Sequence, residues 1–305
     1  MPEDHDVLII GGGPAGITAG LYCSRDRLET LLIERGLIGG MINEAEKVDN
    51  YPGFPEGISG TELTQLMHQQ ATRYGLKTIY IDVIALQVKN KSMTVKTTSG
   101  SFGSRAVIIA SGSERQKLGI PGEKEYTGKG VSYCATCDAP FFNGKTVAIV
   151  GGGNAAIYEA LHLAKFAAKV FLIHRRDQLR ATAIVQERAF AEPKIEFLWN
   201  TVVDAIEGGK TVENLNLRQV TDGKKYTLKV SGVFIAIGIK ANTGFLKGVL
   251  ALDKRGCIVV NERMETSVPG IFAAGDIRSN SIGQVVAAAG DGATAALYAK
   301  NFIES

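Results

Sequence analysis

The patterned part of the chain begins with an unbroken apolar run, Val7-Leu8-Ile9-Ile10, that ends in Gly11-Gly12-Gly13-Pro14-Ala15-Gly16. A continuous apolar run closed by glycines reads as a strand buried on both faces, and the residues after it take up helical spacing. A parallel strand feeding a helix to about Arg25 is therefore expected, and Leu28 to Glu34 supplies the second strand of a βαβ unit. The same grammar returns at Val147-Ala148-Ile149-Val150, with Gly151-Gly152-Gly153-Asn154-Ala155-Ala156, a helix to about Phe166 and a strand from Lys169 to Ile173. The chain holds the unit twice.

Between the units, Ile79 to Val88 and Met93 to Thr98 alternate like antiparallel strands, and Arg105 to Ala110 is a buried strand ending in Ser111-Gly112. After the second unit comes a similar series: Ile195 to Leu198, Val202 to Ile206, Leu215 to Val220, Thr227 to Val230, and a closing strand through Ile237 and Gly238. Each unit is expected to carry its own β-meander. The stretch Ile271 to Asp276 and the helical pattern from Gln284 to Ile303 have no counterpart in the second unit, so they are assigned to the first. The expected fold is α/β, with two Rossmann-like dinucleotide-binding domains. Residues 1–114 and 243–305 form the first, discontinuous domain, and residues 115–242 form a second inserted into it.

Composition agrees with this plan. A length of 305 residues exceeds that of one ordinary domain, and 45% apolar residues with 36 glycines suit strand-helix alternation with tight turns. The net charge is +3 without a long run of like charges, which argues against nucleic acid or a charged membrane surface as partner. The segment Met1 to Asp6 is acidic and leads straight into a strand, the wrong order for a cleavable signal. No apolar run approaches the roughly 18 residues of a membrane span, and a cytoplasmic location is expected. Four cysteines do not make a disulfide scaffold. Cys23 within the first helix and Cys257 at the start of a strand read as core, whereas Cys134 and Cys137 form a CxxC. In a reducing compartment such a pair means redox chemistry or metal ligation, and rarely a staple.

In a dinucleotide site the first glycine permits a tight turn, the second lets backbone N–H groups approach the pyrophosphate, and the third allows the helix to pack on the strand. Gly11, Gly13 and Gly16 fill these places. Glu34 ends the next strand at the distance from which a carboxylate accepts hydrogen bonds from ribose hydroxyls. In the second unit Gly151, Gly153 and Ala156 take the same places, Ala being an accepted third residue. The register of Glu34 there falls on His174, followed by Arg175, Arg176 and, one turn on, Arg180. Guanidinium groups in place of a carboxylate suit a 2′-phosphate. One acidic and one basic ribose position imply FAD in the first domain and NADPH in the second, with hydride passing between cofactors. A Gly-rich structural turn and a solvated basic patch are the alternatives.

The segment Ser132-Tyr133-Cys134-Ala135-Thr136-Cys137-Asp138 lies just before the second unit, so the thiols are expected to travel with the NADPH domain. Zinc needs four ligands, and neither the other cysteines nor the four histidines offer matching spacing, so no metal is expected. A CxxC lowers one thiol's pKa and cycles between dithiol and disulfide. Asp138 is positioned in sequence to act as general acid and base, its alternative being an exposed turn carboxylate. Pro140 limits any helix here to about a turn.

Through Gly11 to Gly16, the CATCD string at Cys134 to Asp138, Gly151 to Ala156, His174-Arg175-Arg176 with Arg180, and Thr266 to Asp276, the chain resembles the low-molecular-weight thioredoxin reductases from end to end. The resemblance implies that Cys137 reacts with the flavin, Cys134 attacks thioredoxin, and Asp138 is the acid. It implies that Gly275 and Asp276 bind the FAD ribitol, that Asn50 lies near the flavin ring, and that Gln284 and Val285 offer backbone groups to its pyrimidine edge. The expected flavin set is completed by Pro14, Ala15, Gly39 and Gly40, and by Val83, Ala110, Ser111 and Gly112. The NADPH set is completed by Asn154, Ala155 and Gly238. It also implies a homodimer, and rotation of the inserted domain about segments near 112–118 and 239–245 between half-reactions.

Met41 stands where the family usually has Gln, Gly283 where it has Arg, Ser111 where Thr is common, and Tyr158 where an acidic residue is frequent. His5, His68 and His162 read as surface or satisfied polar residues, and Trp199 as packing. A flavin dithiol oxidase, a reductase of another redoxin and a nucleotide-binding redox sensor remain as competing functions. The intact NADPH loop argues against the first, and the paired cofactor sites beside a dithiol argue against the last.

Overall fold

The computed structural model describes residues 3–45, 47–89, 92–246 and 248–305. In chain order the elements begin with β1 (Glu3–Ile10), α1 (Pro14–Arg25), β2 (Thr30–Glu34), α2 (Gly60–Arg73), β3 (Lys77–Tyr80), β4 (Val83–Lys89), β5 (Ser92–Thr97), β6 (Gly100–Ile109) and β7 (Ser113–Arg115). They continue with β8 (Val131–Ser132), α3 (Ala135–Asp138), β9 (Thr146–Gly151), α4 (Asn154–Leu163), β10 (Lys169–Ile173), α5 (Ala183–Phe190) and β11 (Ile195–Leu198). The last are β12 (Thr201–Gly208), β13 (Val212–Gln219), β14 (Lys225–Lys229), β15 (Gly232–Ala236), β16 (Ile239–Ala241), β17 (Ile271–Ala273) and α6 (Val285–Glu304). Two compact units result, Met1–Glu114 with Lys240–Ser305, and Arg115–Ile239. The chain crosses between them within β7 and β16.

In the first unit the sheet runs β3-β2-β1-β6-β5-β4, with β17 also paired to β6. β1 is parallel to β2 on one side and to β6 on the other, so the winding reverses beside it and leaves a crevice at its C-terminal end. Val7 to Ile10 are buried there, which is why this strand shows no polar alternation. α1 starts on Gly13 with Pro14 in its first turn, where the missing N–H has no intrahelical acceptor to lose. α6 packs along α1 through Ala295, Ala296 and Ala299. A Cβ on Gly292 would lie 2.1 Å from the Ala15 carbonyl oxygen, so the small residues of α6 permit the close approach.

The expected single strand Ile79 to Val88 is two strands. β3 extends the parallel sheet beside β2, whereas β4 runs antiparallel to β5. Ile81 N–H donates to the Glu34 carbonyl and the Asp82 carbonyl accepts from Thr98 N–H, so the chain changes partner between adjacent residues. α2 escaped the sequence pattern. Its start is nevertheless marked by Ser59, whose Oγ accepts Glu62 N–H at 3.2 Å in the Ser-x-x-Glu spacing of a capping box.

The second unit has a wholly parallel sheet, β11-β10-β9-β15-β8, and a separate antiparallel sheet, β12-β13-β14. Ile195 to Leu198, read as the first strand of the meander, is instead the outer parallel strand β11. An edge strand is only half covered, so Glu196 stands exposed between two apolar residues and the run is not continuously apolar as in the central strands. The reversal here lies at β9, between β10 and β15.

Trp199 stacks on Phe197, their centroids 5.1 Å apart. His5 departs from expectation. It is buried in the central strand β1 with neither ring nitrogen hydrogen-bonded. Cys23 and Cys257 are buried free thiols, and burial pushes Cys23 up to about 12. No strand begins at Cys257; Ile258 forms isolated bridges to Leu252 and Arg278.

Candidate active site

The two reversal points are built alike. A Cβ on Gly11 would lie 2.4 Å from the carbonyl oxygen of Ala110, at the end of the neighbouring β6, and one on Gly16 only 1.9 Å from the Gly11 carbonyl oxygen. In the second unit a Cβ on Gly151 would meet the Ala236 carbonyl oxygen and the Ala156 Cβ, each at 2.5 Å. These glycines are required by backbone packing. The middle glycines are different. A Cβ on Gly13 would have its nearest neighbour at 3.9 Å, and one on Gly153 would meet nothing within 4 Å. Both have extended backbone that any residue adopts. Their missing side chains leave open space in front of the first N–H groups of α1 and α4, among them those of Ala15, Asn154 and Ala155, which have no intrahelical acceptor. Each loop thus fits a pyrophosphate.

In the first unit the Glu34 carboxylate accepts N–H from Gly12 at 2.6 Å and from Gly36 at 2.8 Å, which fixes it beside the loop. Gly39 N–H donates to the Gly12 carbonyl, bringing the Gly39-Gly40 turn against the loop. Ala110, Ser111 and Gly112 follow β6 across the reversal point, and Ser111 exchanges hydrogen bonds with Asn242. Asn50 Nδ2 donates to Gln284 Oε1 at 3.1 Å, joining two expected flavin residues far apart in sequence, and Gln284 caps α6 immediately before Val285. Gly275 abuts Ala15, so the Gly275-Asp276 turn sits at the start of α1, and Asp276 accepts from Ser281 Oγ at 2.9 Å. Val83 opens β4, partly buried, and packs against the core of that sheet.

Sequence reasoning missed the buried pair behind this turn. Asp291 on α6 accepts from Arg278 Nε at 2.6 Å and Nη2 at 2.9 Å, and from Gly275 N–H at 3.1 Å. A lone carboxylate on a helix face otherwise made of alanine and glycine was the available signal.

In the second unit His174 is buried, its Nε2 within 3.0 Å of the Gln178 carbonyl oxygen. A Cβ on Gly152 would sit 2.2 Å from its ring, so His174 underlies the glycine loop. Burial lowers its pKa, partly opposed by hydrogen bonding to the Gln178 and Gly151 backbone. Arg180 N–H donates to the Gly152 carbonyl at 2.7 Å, tying that turn to the same loop. The side chains of Arg175, Arg176 and Arg180 are exposed, and among the described residues none of them enters an ion pair. Gly238, in left-handed backbone after β15, lies across the reversal point from the loop.

Cys134 and Cys137 are joined as a disulfide with Cα atoms 5.3 Å apart. Cys137 lies within the one turn of α3 and Cys134 is its N-cap, whose Sγ accepts Cys137 N–H at 3.2 Å. A short 3₁₀ turn with Pro140 in its first turn follows and ends the helix. Ser132 Oγ donates to Asp138 Oδ2 at 2.5 Å and accepts Cys134 N–H at 3.1 Å, linking the carboxylate to the backbone of the disulfide. Tyr133 is anchored to Glu123, which also accepts N–H from Leu118 and Gly119. Neither Ser132 nor Glu123 was assigned a role from sequence, because their partners are met through turns that no residue pattern specifies. Among the described residues no metal-binding cluster of His, Cys, Asp or Glu occurs, and no helix is long and apolar enough to cross a membrane.

A disulfide on a one-turn helix, carried by one of two dinucleotide-binding units, defines a nucleotide-dependent disulfide oxidoreductase. The family model described as pyridine nucleotide-disulphide oxidoreductase matches residues 5–292, and the chain belongs to that family. Within it the chain is 47% identical over 302 residues to a thioredoxin reductase of Bacillus subtilis, covering 98% of this chain and 95% of the relative. It is 40% identical to a thioredoxin reductase of Peptoclostridium acidaminophilum, covering 100% and 99%. The crystal structure of thioredoxin reductase from Streptococcus pyogenes superposes with a TM-score of 0.96 at 41% identity, covering 100% of this chain and 99% of that one. A flavin and a pyridine nucleotide are the cofactors that this family implies.

Proposed function

We propose that the chain is a thioredoxin-disulfide reductase that draws electrons from NADPH through FAD and the Cys134–Cys137 pair. The observation that carries this reading is the disulfide on α3, in the same unit as a glycine loop followed by unpaired arginines. When bound, FAD accepts a hydride from the nicotinamide and passes two electrons on to a disulfide.

The residues have separate tasks. Glu34 would accept hydrogen bonds from the FAD ribose, Asp276 and the Gly275 turn would hold the ribitol, and Asn50 with Gln284 would border the ring. Arg175, Arg176 and Arg180 would contact the 2′-phosphate and give preference for NADPH over NADH, while His174 supports the loop from beneath. Reduction would open the Cys134–Cys137 bond. Cys137 would be the sulfur facing the flavin, Cys134 the thiol that attacks the thioredoxin disulfide, and Asp138, oriented by Ser132, would move protons to and from the thiols. The nicotinamide and the dithiol both belong to the second unit and must reach one flavin. They take turns, by rotation of that unit about its two crossing segments within a homodimeric enzyme.

The test is anaerobic titration of the flavin-loaded protein with NADPH and then oxidised thioredoxin, followed by flavin absorbance, in wild type and in Cys134→Ser and Cys137→Ser. Bleaching by NADPH in all three, with reoxidation by thioredoxin only in wild type, is expected. A flavin that stays oxidised under saturating NADPH overturns the donor assignment and favours a dithiol oxidase. Reoxidation by a different redoxin alone overturns the assignment of thioredoxin.

A further inference from the structure

Glu159 has no part in the chemistry described above. It lies on α4, the helix that follows the second glycine loop, and α4 packs against α3. Its Oε2 is buried without a hydrogen-bond partner. Two groups favour its charged form, the Arg115 guanidinium on the crossing strand β7 and the backbone N–H of Ala135, the first residue of α3 and the neighbour of Cys134. The carboxyl therefore interacts with both the first turn of the disulfide helix and the Arg115 cation. Burial outweighs both groups and pushes its pKa above the ordinary carboxylate value.

We propose that Glu159 is a positioning residue for the redox pair: its carboxyl, buried behind the first turn of α3, takes up a proton when Cys134–Cys137 is reduced and so links the potential of that disulfide to pH. The inference rests on Cys134–Cys137 being the redox pair of the proposed function. Two electrons break the S–S bond and leave two sulfur anions, one of which is protonated from solvent. The remaining thiolate places a negative charge on the same helix turn whose Ala135 N–H meets the Glu159 carboxyl. A like charge disfavours ionisation, so the carboxyl of Glu159 takes a second proton from solvent. Oxidation releases both protons.

The surroundings of α4 limit the other sources of such a proton. α3 brings Asp138 and the two cysteines, α5 brings Glu187 and Arg188, and β10 brings Lys169, which is paired with Glu196. β9 and β15 carry no titratable residue, and α4 itself adds His162 and Tyr158. Arg115 is the charged side chain whose field reaches Glu159.

The experiment equilibrates holoenzyme with graded ratios of reduced and oxidised dithiothreitol from acid to neutral pH, then traps free thiols with an alkylating reagent and counts them by mass spectrometry. The wild-type potential is expected to fall more steeply with pH over a window that opens above the ordinary carboxylate pKa. Glu159→Gln, which preserves shape and an acceptor oxygen, is expected to lose that steep segment while melting at the wild-type temperature. Superimposable wild-type and Glu159→Gln curves overturn the proposal and leave the extra proton, if present, to Asp138. Should the Gln variant not fold, infrared difference spectra of the wild type serve instead: a protonated-carboxyl band must appear on reduction, and its absence overturns the proposal. If Cys134 and Cys137 never equilibrate with dithiothreitol at any pH, it is the proposed function that fails.

Discussion

Ser132 Oγ donates to Asp138 Oδ2 across 2.5 Å while accepting the N–H of Cys134, so one hydroxyl connects the Asp138 carboxylate to the disulfide backbone. A hydrogen bond to a charged group contributes about 1.5–3 kcal/mol. Ser132→Ala removes this donor and leaves the disulfide in place. In steady-state thioredoxin reduction the variant should show kcat/KM lowered by about tenfold. An unchanged kcat/KM would show that the Ser132 hydroxyl does not orient Asp138 for the reaction.

The glycines of each loop divide into two kinds with opposite consequences. Gly16→Ala places a methyl 1.9 Å from a carbonyl oxygen, which the backbone must move to accommodate, at a cost of about 1–3 kcal/mol or more. Gly153→Ala enters open space from extended backbone. Calorimetry of the ligand-free protein should show a lowered melting temperature for the first and an unchanged one for the second. Isothermal titration should show the second losing most of its NADPH affinity.

Acid should destabilise the second unit through His174. Its folded pKa is depressed by burial below the ordinary value of 6.5, so the unfolded state binds the proton first. The stability this neutral ring supplies is complete above the unfolded value and declines as pH falls through 6.5 toward the folded one. His162, in the same unit, is shifted the same way by burial and adds to the slope. Melting curves across this range are expected to be flatter for His174→Gln than for wild type, with a lower melting temperature at neutral pH where the packing against Gly152 is lost.

Removing one partner of the Arg278–Asp291 pair leaves a buried charge unmatched, which typically costs about 3–5 kcal/mol. Asp291→Asn is therefore expected to unfold at lower urea and to bind FAD more weakly, since Gly275 N–H is left with an uncharged amide in place of a carboxylate. Arg278→Met with Asp291→Leu should recover much of the stability in the same urea titration. If FAD affinity also recovers fully, Asp291 holds the turn by packing alone.

Local spacing made much of this protein legible without a structure. Both glycine loops, the carboxylate at Glu34, the arginines after β10 and the CxxC ahead of β9 are short patterns whose chemistry is set by neighbours along the chain. The strands through Val7 and Val147 were equally plain, because burial on both faces leaves a continuous apolar run. Tertiary structure decided the rest. Ile195 to Leu198 could not be told from a meander strand, since alternation reports which faces are covered and not which strand lies alongside. Asn50 meets Gln284, and Asp291 meets Arg278 and Gly275, only because α6 returns to pack along α1. The same holds for Glu159, whose buried oxygen and nearness to Ala135 exist only where α4 and α3 meet. The sequence by itself determined the two glycine loops and the Cys134–Cys137 pair; the packing of helices on sheets decided which distant polar groups are desolvated together, since desolvation depends on what covers a side chain from every direction.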